Sequence, residues 1–254
     1  VPEIDPARRA SQVASALAEV RARLDRACDD AGRDRADVQL LPVTKFFPAS
    51  DAAILYGLGC REFGESREQE ATAKVAELAD LLASAGTGEG ADAVRWHMIG
   101  SLQRNKARAV ARWAHAIHSV DSVRLVDALS RAASAALAEG ERPEPLRVLL
   151  QVSLDGDPAR GGVRGHELTE LAARTEDADG LELAGLMAVP PLGADPERAF
   201  EALAGVHRDL LREHPRATAL SAGMTGDLEA AVRYGSTCVR VGTALLGSRP
   251  ITSY

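Results

Sequence analysis

Lys45 is the first residue whose type and setting suggest chemistry. It ends the apolar run Leu41-Pro42-Val43-Thr44. A lysine at the end of a buried strand faces apolar walls that disfavour its ammonium form, which lowers its pKa from about 10.4. The neutral amine can attack an aldehyde; the plainer alternative is a rim lysine in contact with water. Composition sharpens the point. The chain has 30 basic residues, of which Lys45, Lys74 and Lys106 are the only lysines and 27 are arginine. Guanidinium forms no Schiff base and hardly deprotonates. Three lysines therefore make a short list of candidate nucleophiles.

Two glycine-bearing turns could hold an anion near that amine. Arg240-Val241-Gly242-Thr243 ends one apolar run and leads into Ala244-Leu245-Leu246-Gly247, and Ser221-Ala222-Gly223-Met224 closes another. Glycine at a strand-to-helix turn lets backbone N–H groups approach a phosphate, and the next helix start adds a positive dipole end. Thr243 adds a hydroxyl donor. Ordinary turn glycines would leave the same trace. Met187, after Gly185-Leu186, could back a flat ring or simply fill the core.

The remaining polar candidates read more blandly. His97, in Trp96-His97-Met98-Ile99-Gly100, could donate a proton, but a lone histidine in an apolar strand is more often packed and hydrogen-bonded in the core. His115-x-x-His118 has metal-like spacing, yet it straddles an expected helix end and strand with no carboxylate nearby. It reads as structural, and no metal site is expected. Glu65, Glu68 and Glu70 read as a solvated face of the second helix. Lys106 reads as a helix-surface charge or as a partner for phosphate or a neighbouring loop.

These residues need a scaffold, and the sequence supplies a regular one. Val13, Leu17, Val20, Leu24 and Cys28 share one face of an opening helix over 5–31, with Pro6 in its first turn and Gly32 at its end. Eight short apolar runs follow: Val38–Thr44, Cys60–Gly64, Val94–Gly100, Ala116–Val120, Arg147–Leu154, Leu181–Val189, Ala219–Gly223 and Thr237–Val241. Such runs suit strands covered on both faces. Helical patterns lie between them, among them Asp51–Leu58, Ser66–Leu82, Ser122–Ala138 and Pro196–Arg212. Stretches 84–93 and 139–145 read as loops. Strand–helix alternation implies a parallel sheet with right-handed crossovers, and eight units close a barrel. An open doubly wound sheet is the alternative, weakened because no glycine-rich dinucleotide fingerprint follows the first strand. The expected fold is thus α/β, a single (β/α)8 TIM barrel domain over 1–254 with an extra N-terminal helix. In such barrels the chemistry sits at the C-terminal strand ends, where Lys45, Gly223 and Thr243 fall.

Composition bounds the rest. The length of 254 residues fits one such barrel. A net charge of −7 gives no global basic field for nucleic acid or anionic membrane. The three cysteines are odd in number and far apart, which suggests neither disulfides nor zinc. With no apolar leader segment and no run long enough to span a bilayer, the cytoplasm is the expected location.

At this point the ordered motifs become familiar. They are Val43-Thr44-Lys45, Phe63-Gly64-Glu65, Trp96-His97-Met98-Ile99-Gly100, Leu102-Gln103 with Asn105-Lys106, Val120-Asp121-Ser122, Gly185-Leu186-Met187-Ala188, Ser221-Ala222-Gly223-Met224 and Val239-Arg240-Val241-Gly242-Thr243-Ala244. In this order they resemble the pyridoxal phosphate homeostasis family, also called proline synthetase co-transcribed proteins. These are single-domain relatives of the alanine racemase N-terminal barrel. The resemblance runs from about residue 12 to 249. It implies that Lys45 carries pyridoxal 5′-phosphate as an internal aldimine and that Ser221, Gly223, Gly242 and Thr243 surround the phosphate. Met187 and Met224, within the same motifs, join them as cofactor-binding candidates. Arg240 matches the arginine facing the pyridine nitrogen in alanine racemase-like sites; a cation there discourages ring protonation and makes the ring a weaker electron sink. Two departures stand out. Ser66 and Arg67 replace the family's usual Asn-Tyr after Glu65, and Arg160-Gly161-Gly162 replaces a lysine before a Ser-Gly pair.

A racemase of this class needs a second acid or base on the opposite face of the substrate. In alanine racemase-like enzymes it resembles a tyrosine from an added C-terminal β-domain. Only seven residues follow Gly247, so no such domain is expected, and Tyr56, Tyr234 and Tyr254 lie outside the strand-end motifs. The expectation is therefore a monomeric cofactor carrier with a homeostasis role, exchanging the aldehyde with pyridoxal phosphate-dependent apo-enzymes. A weak racemase or lyase using His97 or water is the first alternative. A barrel binding a phosphate ligand non-covalently is the second.

Overall fold

The computed structural model describes residues 5–86, 94–191 and 193–248. Its opening helix α1 (Pro6–Asp30) buries Val13, Leu17, Val20, Leu24 and Cys28, the face that the sequence spacing marks out. The Asp5 carboxylate accepts from the Ala7 N–H, and Pro6 occupies the first turn, so the helix starts where its unpaired donors find an acceptor.

Each expected apolar run overlaps a strand: β1 (Gln39–Pro42), β2 (Glu62–Glu65), β3 (Arg95–Met98), β4 (Ala114–Val120), β5 (Leu146–Gln151), β6 (Leu181–Met187), β7 (Ala219–Ser221) and β8 (Cys238–Val241). They form one eight-stranded sheet in the order β1-β8-β7-β6-β5-β4-β3-β2, and every pairing is parallel. The seam between β1 and β2 carries one bridge, Val43 to Gly64, with the Thr44 N–H donating to Gly64 O at 3.0 Å. That bridge closes the barrel. Outside it lie α2 (Ala49–Gly57), α3 (Glu68–Ser84), α4 (Ala107–Trp113), α5 (Val123–Ala138), α6 (His166–Glu176), α7 (Pro196–Glu213), α8 (Leu228–Arg233) and α9 (Thr243–Leu246). Among the described residues, no helix is long and apolar enough to cross a membrane.

Two expectations change. α4 runs directly into β4 with no loop between Trp113 and Ala114, so His115 and His118 both lie on one strand. Glu65 does not face solvent on a helix: it ends β2 with no exposed surface, while Glu68 and Glu70 open α3. The cause is tertiary, because the Thr44 hydroxyl and the Lys74 ammonium meet its carboxylate inside the protein. Of the expected loop at 84–93, residues 87–93 lie outside the described ones, and α3 extends to Ser84.

The large apolar side chains pack between sheet and helices, with Leu129, Leu146, Leu150, Phe200 and Leu203 in the largest cluster. The lumen differs. Its apolar part is a small cluster of Ala116, Leu149, Ala184 and Met187, and the buried polar groups His97, His118, Ser221 and Arg240 share the interior. Gly185 lets β6 and β7 close: a Cβ there would fall 1.8 Å from Ala219 O, at a φ of +152°.

Helix α1 also braces the mouth of the barrel. Arg9 forks onto the buried Asp51 of α2 at 2.9 and 2.6 Å and donates to Leu246 O at 3.1 Å, after β8. Arg23 forks onto Glu229 and donates to Thr225 O at 2.6 Å, after β7. Both turns proposed from sequence to hold an anion are thereby tied to the same helix.

Candidate functional site

Lys45 follows β1 by three residues and is half-buried. Its Nζ lies 5.8 Å from the centroid of the Phe46 ring, which Arg67 also approaches at 5.1 Å. Phe46 has a φ of +70°, a conformation that costs a non-glycine residue about 1–3 kcal/mol and recurs where the surrounding structure fixes a functional group. Part of that fixing is visible. Lys74 Nζ donates to Thr44 O at 2.8 Å and to Glu65 Oε1 at 2.5 Å, and Thr44 Oγ1 donates to the same Glu65 oxygen at 2.7 Å. The residue just before Lys45 is therefore pinned across the barrel seam. Burial pushes the Glu65 carboxyl above its usual range, and Lys74 and Thr44 pull against that rise. Its second oxygen, Oε2, is buried with no hydrogen-bond partner among the described residues.

β1 and β8 are neighbours, with Pro42 opposite Val241 and the Val43 N–H on Val241 O at 2.8 Å. Lys45 and Thr243 thus leave adjacent strand ends. A Cβ at Gly242 would come within 3.2 Å of Val43 O, so the turn lies tight against β1. Thr243 is exposed and opens the four-residue helix α9. Arg240 is buried; its Nη1 donates to Ser221 Oγ at 2.6 Å and its Nη2 to Ala188 O at 3.0 Å. Gly223, at a φ of +91°, accepts from the Arg240 backbone N–H at 3.0 Å.

The other sequence candidates are more dispersed. Ser221 is fully buried, and its hydroxyl serves Arg240 and His118 rather than an anion in the mouth. Met187 packs in the lumen opposite Ser221, whereas Met224 is exposed and its backbone N–H donates to Asp227 Oδ1 at 2.6 Å. Lys106 pairs with Glu68 at 3.1 Å. Of the two departures, Arg67 covers Phe46, and Arg160 binds Asp155 at 2.9 Å and the carbonyls of Val189 and Pro190.

The sequence reading missed a connected set of polar residues. His97 Nδ1 lies 2.9 Å from His118 Nε2, His97 Nε2 lies 2.7 Å from Glu62, and His118 Nδ1 lies 2.9 Å from Ser221 Oγ. The supposed want of a carboxylate near the histidines is corrected by Glu62. Only the inward alternation along β3, β4, β7 and β8 could have flagged them. His97, committed inside the barrel, is not at the mouth to act as a second base.

Burial also drives His115 down to about 4 and His118 well below its usual value, with the neighbouring His97 adding to both shifts. The unfolded chain binds these protons below about pH 6.5, and the folded chain refuses them until His115 titrates near 4. Stability must therefore fall as pH drops through this window. Thermal midpoints are expected to decline between about pH 7 and 5, mostly above the range where carboxylates protonate, and less in His115→Gln. A flat profile there would contradict the assignment.

Fold and site together define a class, the parallel barrel with an amine at its C-terminal mouth. The family model described as "Alanine racemase, N-terminal domain" matches residues 16–250. A pyridoxal phosphate homeostasis protein of Mycobacterium bovis is 56% identical over 248 residues, covering 96% of each chain. A crystal structure of an unknown protein from Bifidobacterium adolescentis superposes with a TM-score of 0.82 at 35% identity, covering 96% of this chain and 97% of that one. The structure of PipY from Synechococcus elongatus with PLP bound gives 0.77 at 34% identity, with coverage of 93% and 100%. The chain belongs to the pyridoxal phosphate homeostasis protein family.

Proposed function

We propose that this protein binds pyridoxal 5′-phosphate at the C-terminal mouth, attaches it through Lys45, and keeps the cofactor in a protected, exchangeable form. The observation that carries the reading is the adjacency of Lys45 and the Gly242–Thr243 turn on neighbouring strand ends, in a chain 34% identical to one solved with PLP bound. The donor set fits the ligand: an amine for the aldehyde, a backbone turn with a hydroxyl for the phosphate, and the Arg240 guanidinium for the ring nitrogen. Bound there, the cofactor supplies an electrophilic carbonyl. The protein's part is to hold Lys45 through the Thr44–Lys74–Glu65 clamp and to keep Arg240 oriented.

The position of His97, spent on Glu62 and His118 inside the barrel, supports carriage over turnover. The mouth is built from strand ends of one chain, so the reading is of a monomer that hands its cofactor to apo-enzymes. Three buried free cysteines suit the reducing cytoplasm.

Borohydride reduction of the loaded protein, followed by peptide mass mapping, tests the attachment: the pyridoxyl mass is expected on the peptide containing Lys45. An unlabelled Lys45 would overturn the proposal. For the phosphate turn, Thr243→Ala is expected to speed cofactor loss on dialysis by roughly tenfold, since a hydrogen bond to a charged group contributes about 1.5–3 kcal/mol. Lys106→Ala, which breaks an ion pair with Glu68, is expected to change it little. Equal losses would mean that the phosphate lies elsewhere.

A further inference from the structure

A line of hydrogen bonds crosses the lumen from one end of the barrel to the other. It runs from Glu62 on β2 through His97 on β3 and His118 on β4 to Ser221 on β7 and Arg240 on β8. His97, His118, Ser221 and Arg240 each have 5% or less of their surface exposed, so water does not compete along this stretch. At the far end, Gln39 donates its amide to the same Glu62 oxygen. There Gln39, His97, His118 and Cys238 help line a 430 Å³ cavity on the N-terminal side of the barrel, opposite the mouth.

The chemistry of its two end groups constrains the direction of the line. Arg240 can only donate, so Ser221 Oγ accepts from it and keeps one O–H to give. Burial pushes the Glu62 carboxyl up, but its bonds from His97 and Gln39 outweigh that and hold it below the usual range. Glu62 is then a carboxylate and can only accept, which places a hydrogen on His97 Nε2. For a line of neutral imidazoles, His97 Nδ1 accepts from His118 Nε2, and His118 Nδ1 accepts the Ser221 O–H. Every donor points from the arginine toward Glu62. A hydroxyl that donates in such a chain becomes a stronger acceptor, which is what the 2.6 Å contact with Arg240 calls for.

We infer that Glu62, His97 and His118 are positioning residues for the mouth: acting through Ser221, they fix the guanidinium of Arg240 against the ring of the bound cofactor. The inference rests on the proposed function for its ligand, but the polarity of the line does not. Arg240 has a second anchor, Ala188 O at 3.0 Å. Losing the relay should therefore loosen the guanidinium without freeing it.

Two measurements test this. In the cofactor-free protein, ¹⁵N ring spectra are expected to show His97 and His118 both protonated at Nε2 and bare at Nδ1. The opposite tautomer at His118, or rapid averaging, would overturn the relay. In the loaded protein, His118→Phe and Glu62→Gln are expected to release cofactor about tenfold faster and to shift the visible absorbance, with Lys45 still labelled by borohydride. H118N keeps an acceptor for Ser221 and is expected to restore part of the retention. Unchanged release and absorbance in both H118F and E62Q would overturn the positioning role. A wild-type chain that never loads would instead sink the cofactor reading, and the tautomers would still decide the relay.

Discussion

Lys45→Ala is expected to abolish covalent loading: mixed with pyridoxal 5′-phosphate, the variant should develop none of the visible band of the wild type and yield no reduced peptide. Few amines can substitute. Lys74 is buried against Glu65 at 2.5 Å and Thr44 O at 2.8 Å, and Lys106 is paired with Glu68 at 3.1 Å, so both amines are engaged by a carboxylate. The Gly242–Thr243 turn, proposed to hold the phosphate, is untouched in the variant and should leave weak, dialysable binding. Lys45→Arg separates charge from nucleophilicity, because guanidinium keeps the cation but cannot condense with an aldehyde. It should behave like the alanine variant in absorbance. A labelled peptide carrying Lys74 or Lys106 in Lys45→Ala would show that the attachment site is misassigned.

The second large effect is on stability. Lys74→Met leaves Glu65, which has no exposed surface, with either an uncompensated charge or a proton taken up at neutral pH. Removing one partner of a buried pair costs about 3–5 kcal/mol, a large part of the roughly 5–15 kcal/mol that separates folded from unfolded domains. For a chain of this size that corresponds to a fall in Tm of roughly 10 °C. Lys74→Met combined with Glu65→Gln should recover most of it, since the carboxylate is then gone. Thermal melts of the three variants at neutral pH check this. Should the single variant melt like the wild type, the pair contributes little to closing the β1–β2 seam. Cofactor loading should also weaken in the single variant, because Thr44 loses the contact that holds the chain ahead of Lys45.

The barrel was legible because strands buried on both faces are mostly apolar, and eight short runs such as Val38–Thr44 and Leu181–Val189 are hard to produce otherwise. The opening helix was legible from its spacing, and Lys45 from its place at a strand end. What stayed hidden was polar and tertiary. Glu65, Glu68 and Glu70 look like one solvated run, yet Glu65 takes partners from 21 residues before it and nine after it, across the seam. His118 read as structural without visible partners, because the groups that satisfy it, on β3 and β7, are brought to it only when the barrel closes. Spacing within one strand cannot show a contact made through the lumen.

The scarcity of lysine has a practical consequence. A free aldehyde in excess decorates most proteins at many surface amines, producing slow, heterogeneous adducts that blunt solubility and trap the reagent. With 27 arginines carrying most of its positive charge and only three lysines in the chain, this protein presents few side-chain targets for such decoration. It should therefore stand in a surplus of its own ligand and still titrate close to one equivalent.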